Sequence, residues 1–253
     1  MKPNLKDKIK QGKVVLGSWL QIANITIAEI MAKSGLEWVA VDMEHSSIDL
    51  KDIEPLVSVM AANGCAPLVR LPYNYPMLAK RIMDVGACGI IVPVVDTAED
   101  AAKAVSSIKY PPLGTRGVGL YRAQEFGSTF KDYFKNNNDD SLVIVQIEQK
   151  EGVDNIEEIV KVPGVDGVFI GPYDLSCSMG VPGELEHPLV LEAREKVEKA
   201  AKKAGLALGI HVVHPSLADL RAKLDKGYQF VAYSTDAILL NHYFREAVGA
   251  VKS

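Results

Sequence analysis

One phrase recurs along this chain: an amphipathic segment, a glycine, four to seven apolar residues, then polar residues. It reads SGLEWVAVDMEH at 34–45, NGCAPLVRLP at 63–72 and VGACGIIVPVVD at 85–96. It returns as PGVDGVFIGPYD at 163–174, AGLALGIHVVHP at 204–215 and KGYQFVAYSTD at 226–236. Gly35, Gly64, Gly86, Gly164, Gly205 and Gly227 stand where a helix ends on a left-handed residue. The apolar runs have strand length and mostly do not alternate, as in strands covered on both faces. Helical spacing fills the gaps. Ile27, Ile30 and Met31 predict one buried face, and Ala101, Ala104, Val105 and Ile108 another. Adding LGSWLQI at 16–22 and SLVIVQIE at 141–148 gives eight units, each followed by a helical pattern. Eight regular units in 253 residues predict a closed (β/α)8 barrel in one domain, 1–253, rather than an open doubly wound sheet.

Composition narrows the partners. The net charge is −4 and no basic stripe appears, which argues against nucleic acid. No apolar run reaches the ~18 residues of a membrane span, and the polar start MKPNLKDKIKQGK lacks the apolar core of a signal peptide. Cys65, Cys88 and Cys177 stand far apart without CxxC spacing, so neither a disulfide framework nor a zinc site is expected, and a cytoplasmic location fits.

Barrel active sites gather at the C-terminal strand ends, and every tip here ends in polar residues. EWVAVDMEHSS delivers two acids and His45. PLVRLP delivers Arg70, a planar fork suited to carboxylate or phosphate, or to a structural ion pair. Gln146 and Glu148 lie two apart, on one side of a strand. Asp174 opens the helical turn after the next strand. Glu148 and Asp174 on neighbouring tips suit a hard divalent cation, Mg²⁺ or Mn²⁺. Spacing alone leaves an N-cap role for Asp174, and a surface pair of Glu148 with Lys150, equally open. Asp84 closes a helix against its dipole and needs a cation or a histidine as partner. Trp19 is read as core or as a pocket wall. Glu44 is a candidate for bonding a metal-bound water, and His187 and His242 are read as surface or cap residues. The connection from Lys109 to Asp140 exceeds a plain loop. Its first half is expected to shape the site and its second half, with NNNDD, to be surface.

At this point VDMEHSS, PLVRLP, MDVGACGIIVPVVDTAEDA, KYPPLGTRGVG, VQIE and GVDGVFIGPYDLSCSMG, taken in order, resemble the HpcH/HpaI family. These are class II, metal-dependent pyruvate aldolases, related to 2-keto-3-deoxy-sugar-acid aldolases, 4-hydroxy-2-oxoheptanedioate aldolase and macrophomate synthase. The resemblance runs from about Gly17 to about Asp236. It implies a phosphoenolpyruvate/pyruvate-type (β/α)8 barrel, a hexamer or trimer of dimers, with the last helix (about 236–250) exchanged between subunits. It implies Glu148 and Asp174 as ligands of Mg²⁺ or Mn²⁺, with Co²⁺ a third option, and Gln146 as a substrate contact. His45 becomes the base, Arg70 the stabiliser of the enolate and Asp84 the acid tuning His45. Amides of the turn at Gly171 are expected to take the substrate carboxylate. The implied reaction is reversible cleavage of a 4-hydroxy-2-oxo acid to pyruvate and an aldehyde. Oxaloacetate decarboxylation through the same enolate, or macrophomate-synthase-like chemistry, is the alternative. Tyr173 stands where many members carry alanine, and His211 and His214 stand where better-known aldolases are apolar or small. These three put the acceptor in question.

Rival readings fare worse. A Schiff-base aldolase needs a buried lysine, and Lys150 in EQKEG looks solvated. Phosphate sites of such barrels favour glycine-rich loops after strands seven and eight, whereas HVVHPS and YSTDA have none. A non-catalytic binding protein on the same fold is the remaining option.

Overall fold

The computed structural model describes residues 5–252; residues 1–4, part of the polar start read above, and residue 253 lie outside them. The chain runs α1 (Leu5–Lys10), β1 (Val15–Leu20), α2 (Ile25–Lys33), β2 (Trp38–Asp42), α3 (Leu50–Ala62), β3 (Ala66–Arg70), α4 (Pro76–Asp84), β4 (Gly89–Val92) and α5 (Ala98–Ile108). A 3₁₀ turn at Arg122–Gly127 precedes α6 (Phe130–Asp140) and β5 (Leu142–Ile147). Then come α7 (Lys150–Asp154), α8 (Ile156–Ile159), β6 (Gly167–Ile170), α9 (Pro172–Ser178), α10 (Pro188–Ala204), β7 (Ala207–Val212), α11 (Leu217–Asp225), β8 (Phe230–Thr235) and α12 (Asp236–Lys252). All eight strands are parallel, pair in chain order and close through β1 and β8. The expected (β/α)8 barrel is the fold.

The glycines behave as the recurring phrase requires. Gly35, Gly64, Gly86, Gly164, Gly205 and Gly227 all have φ between 70° and 104°, the region where a Cβ is costly. Each strand then points alternate residues inward and outward. Outward residues such as Val39, Val69, Ile90, Val143 and Val168 join the helices in one core cluster. Inward residues form a second cluster around Trp19, Trp38, Phe169 and Phe230. Trp38 stacks on Phe230 at 4.2 Å, and Trp19 meets Phe169 edge-on at 5.5 Å. Rings this large need gaps opposite: a Cβ on Gly17 would lie 2.0 Å from the Trp38 ring, and one on Gly209 2.6 Å from Phe169. From below, Leu5 and Ile9 of α1 join this inner cluster, and Lys6 pairs with Asp166 at 2.8 Å.

Two expectations need correction. Ile30 is 64% exposed, because α2 buries Ala28, Met31 and Ala32 instead. The segment FKDYFKNNNDD is a helix, α6, and not wholly surface. Its buried Asn137 accepts from Arg116 (2.9 Å) and donates to the Ile108 carbonyl (3.0 Å), so α6 fastens the long connection. Also unforeseen was α1, whose apolar residues are too few to show a periodic pattern.

A candidate active site at the strand tips

Inward parity delivers the polar layer. On β2 the inward series is Trp38, Ala40, Asp42; on β3 it is Ala66, Leu68, Arg70, and Asp42 and Arg70 are register partners. Arg70 grips Asp42 with two hydrogen bonds, Nε to Oδ1 at 2.9 Å and Nη2 to Oδ2 at 2.7 Å. Asp42 also accepts from Gln21 Nε2 (2.9 Å) and from the amides of Glu44 (3.1 Å) and His45 (3.2 Å). Burial alone would raise the Asp42 carboxyl, but the guanidinium and these donors overcome it and hold it below the usual carboxylate range. Asp42 therefore fixes Arg70 and the turn that carries His45. Beneath, the guanidinium lies 4.4 Å from the centre of a Trp19 ring, a cation–π contact. Trp19 is 2% exposed, so it is barrel core that supports Arg70 rather than a pocket wall.

Arg70 Nη1 also lies 3.0 Å from Glu44 Oε2, an ion pair without the alignment of a hydrogen bond. The same oxygen is 3.7 Å from His45 Nε2, whose ring is half-exposed at the rim. Burial pushes the Glu44 carboxyl up to about 8, against the pull of Arg70 and with repulsion from Glu148, Asp42 and Asp174.

Glu148, one residue past β5, is 3% exposed. Its Oε1 accepts from the Val94 amide at 2.8 Å, and its Oε2 accepts from Gln146 Nε2. Val94 holds φ 49°, a strained value for a β-branched residue, and this turns its N–H toward the carboxylate. Gly171 lets Glu148 approach, since a Cβ there would stand 2.7 Å from Oε2. Burial pushes Glu148 up to about 7; Val94 and Gln146 oppose the rise, and Asp174 adds to it.

Glu44, His45, Glu148 and Asp174 line one cavity of about 340 Å³, with Val94 and Cys177 on its wall. Three carboxyl groups facing one space, two of them desolvated, form a set that a hard cation stabilises. Among the described residues no three His, Cys, Asp or Glu side chains are grouped to hold a metal ion by themselves. A cation here would take oxygens of Glu148 and Asp174 and fill its shell with water or substrate. The residues fit such an ion. Two open alternatives close: Glu148 is buried rather than paired with Lys150, which is exposed and bonded to Asp154 (2.7 Å). Asp174 sits in the first turn of α9, two residues past its Pro172 start, and is not the N-cap.

Other expected residues are placed differently. Asp84 finds a cation: Arg116 Nη2 donates to its Oδ1 at 2.7 Å, and the implied contact with His45 is not made within the chain. Arg116 is sequestered by Asn137 and Tyr133 as well, so this acid anchors the long connection. The Gly171 amide is spent on the Ile147 carbonyl (3.2 Å) and Pro172 has none, which leaves Tyr173 and Asp174 to offer amides at this turn. His187 caps α10 through a bond from the Leu189 amide (3.3 Å). Sequence reasoning missed Gln21, Val94, Cys177 and the pairing of Asp42. Asp42 alone left a signal, as the last inward residue of a strand beside the one ending in Arg70.

Comparison with known proteins identifies the family and the fold. The HpcH/HpaI aldolase/citrate lyase profile matches residues 15–242. A 5-keto-4-deoxy-D-glucarate aldolase of Klebsiella pneumoniae subsp. pneumoniae is 40% identical over 236 residues, 92% of this chain and 91% of that one. The crystal structure of an HpcH/HpaI aldolase from Desulfitobacterium hafniense superposes with a TM-score of 0.93 at 36% identity, covering 98% and 96% of the two chains. Macrophomate synthase, at 22% identity, shares the fold (TM-score 0.83, 98% and 90% covered). The chain belongs to the HpcH/HpaI aldolase/citrate lyase family.

Proposed function

We propose that the cavity shared by His45, Glu148 and Asp174 cleaves a 4-hydroxy-2-oxo acid reversibly into pyruvate and an aldehyde. The observation that carries this reading is the convergence of a buried carboxylate, a second carboxylate and a rim imidazole on one space beside Arg70. Glu148 and Asp174 would hold a divalent cation, Mg²⁺ or Mn²⁺ with Co²⁺ as a further option, supplying Lewis acidity that favours the enolate of pyruvate. Arg70 has five N–H groups and gives two to Asp42, so three remain for the oxo and carboxylate oxygens of the substrate. His45, half-exposed at the rim, takes the proton of the C4 hydroxyl. The C3–C4 bond then breaks, the aldehyde leaves, and its electron pair remains on the pyruvate fragment. Protonation at C3 completes pyruvate, so the net transfer is one proton from hydroxyl to carbon. Gln146 donates to Glu148 and holds it in place, and its own Oε1 is buried without a hydrogen-bond partner. The relatives named for 5-keto-4-deoxy-D-glucarate support a hydroxylated oxo acid as substrate.

α12 belongs to the same reading. It buries only Asp236 and leaves Leu240, Tyr243, Phe244 and Val248 exposed, which supports a homo-oligomer that covers this helix. Among the described residues no helix is long and apolar enough to cross a membrane, and no disulfide joins Cys65, Cys88 and Cys177, as suits a reducing cytoplasm.

Exchange of pyruvate methyl protons, followed by NMR with and without Mg²⁺, tests the function. Exchange that needs the ion is expected. His45→Ala should cost aldol cleavage roughly 10²–10⁴-fold, the scale of general base catalysis, and damage oxaloacetate decarboxylation far less. Equal losses in both reactions would remove His45 from the role.

A further inference from the structure

Cleavage ends with a proton on C3, and no group assigned so far delivers it. C3 lies between C2, whose oxygen Arg70 faces, and C4, whose hydroxyl gives its proton to His45. One atom of the protein spans the same interval. Glu44 Oε2 is 3.0 Å from Arg70 Nη1 and 3.7 Å from His45 Nε2. It is buried without a hydrogen-bond partner, and Glu44 lines the cavity that His45, Glu148 and Asp174 share.

The neighbouring groups are committed elsewhere. Glu148 accepts from Val94 and Gln146, and with Asp174 it is the carboxylate pair for the cation. Asp42 accepts from Arg70, Gln21 and two amides. Arg70 does not release a proton in a protein. Glu44, in contrast, has a fixed backbone and an unspent carboxyl. Asp42 Oδ1 takes the amides of both Glu44 and His45, which holds the turn that carries them. Burial favours the protonated form of Glu44 and the guanidinium favours the ionised one, so one cycle can use both. A group that gives a proton and regains it needs that balance.

We propose that Glu44 is the catalytic acid that protonates C3, and the base that removes the methyl proton in the reverse direction. The proposal rests on the aldolase reading. After the C3–C4 bond breaks, the C2=C3 electron pair of the enolate takes the proton of Glu44 Oε2. A C–H bond forms and Glu44 is left as a carboxylate. The His45 imidazolium, charged by the C4 hydroxyl, returns a proton from Nε2 to that oxygen. Their separation exceeds a hydrogen bond by about half an ångström, within the adjustment of a half-exposed side chain. Both groups end as they began, and the proton lost from the C4 hydroxyl is matched by one gained at C3.

The test uses the full chain with Mg²⁺ and two readouts on the same enolate. Exchange of pyruvate methyl protons in deuterium oxide needs the C3 acid and base; release of carbon dioxide from oxaloacetate needs neither. Glu44→Gln should slow exchange roughly 10²–10⁴-fold, the scale of general acid–base catalysis. It should slow carbon dioxide release far less, with the enol of pyruvate appearing as a transient ultraviolet absorbance before it ketonises in water. Mn²⁺ affinity of Glu44→Gln, read by electron paramagnetic resonance, should match the wild type and shows that the variant folds. Glu44→Asp keeps the proton at shorter reach and should recover part of the exchange. It decides the matter if Glu44→Gln fails to bind Mn²⁺: exchange slowed more than carbon dioxide release supports the acid, and equal slowing refutes it. Exchange in Glu44→Gln within about tenfold of the wild type, below the scale of such catalysis, would overturn the assignment. So would parallel losses in both readouts, because a residue that only positions Arg70 damages both. Exchange absent from the wild type would instead overturn the aldolase reading and, with it, the reaction that Glu44 serves.

Discussion

Asp42 and Arg70 show how much one residue pair governs. Arg70→Lys keeps the charge and loses the fork, so both the grip on Asp42 and the N–H groups facing substrate go. A fall in kcat of about 10²–10³-fold is expected, comparable to losing an oxyanion donor. Asp42→Asn strands a nearly buried guanidinium and should cost about 3–5 kcal/mol of stability, read from chemical denaturation. The sign with pH follows from the depressed carboxyl: its contribution is present above the unfolded carboxylate value and fades as pH falls toward the folded one. The wild-type and Asp42→Asn stability curves should therefore converge in acid. Glu148 runs the other way. Its carboxyl is raised to about 7, so in metal-free protein it erodes stability as pH climbs from the ordinary range to 7. Metal-free Glu148→Gln should exceed the wild type in thermal stability at pH ~8 and lose that advantage by pH ~5. Identical differences at both pH values would contradict the burial argument.

At the scale of elements, the strand tips explain what was legible and what was not. The barrel could be read because glycine, apolar run and polar tip repeat, and the left-handed φ of Gly35 through Gly227 is the physical content of that repeat. Glu148 and Gln146 could be paired because two-residue spacing fixes a shared side of a strand. Partners brought by conformation could not be read. The Val94 amide reaches Glu148 only because its backbone is left-handed, and nothing in VPVVD signals that. Val94→Gly keeps the N–H and relieves strain of about 1–3 kcal/mol, so activity near wild type is expected. Val94→Pro has neither the N–H nor the φ, and weaker Mn²⁺ binding by calorimetry is expected. The partner of Asp84 could not be read for a related reason: its cation within the chain comes from the long connection, and only the α6 helix, with Asn137 clamping Arg116, brings it there. Arg116→Met should lower the melting temperature while leaving Mn²⁺ affinity unchanged, because Arg116 touches no residue of the cation-binding cavity.

For the molecule as a whole, α12 is the exception to a well-covered barrel. Seventeen residues continue directly from β8, with Tyr243 60% and Phe244 70% exposed. Substituting both with serine should shift light scattering toward smaller species, and an unchanged mass would remove α12 from the assembly. Sequence periodicity marked this helix; the surface that the proposed assembly would bring against it cannot be written in local spacing. The account as a whole depends on one cation shared by two carboxylates. Titration of metal-free protein with Mn²⁺, followed by electron paramagnetic resonance, addresses this most directly. The expected result is one tight ion per chain, with affinity falling at least about tenfold in both Glu148→Gln and Asp174→Asn, the loss of one charged ligand. Unaltered Mn²⁺ binding in either variant would contradict it.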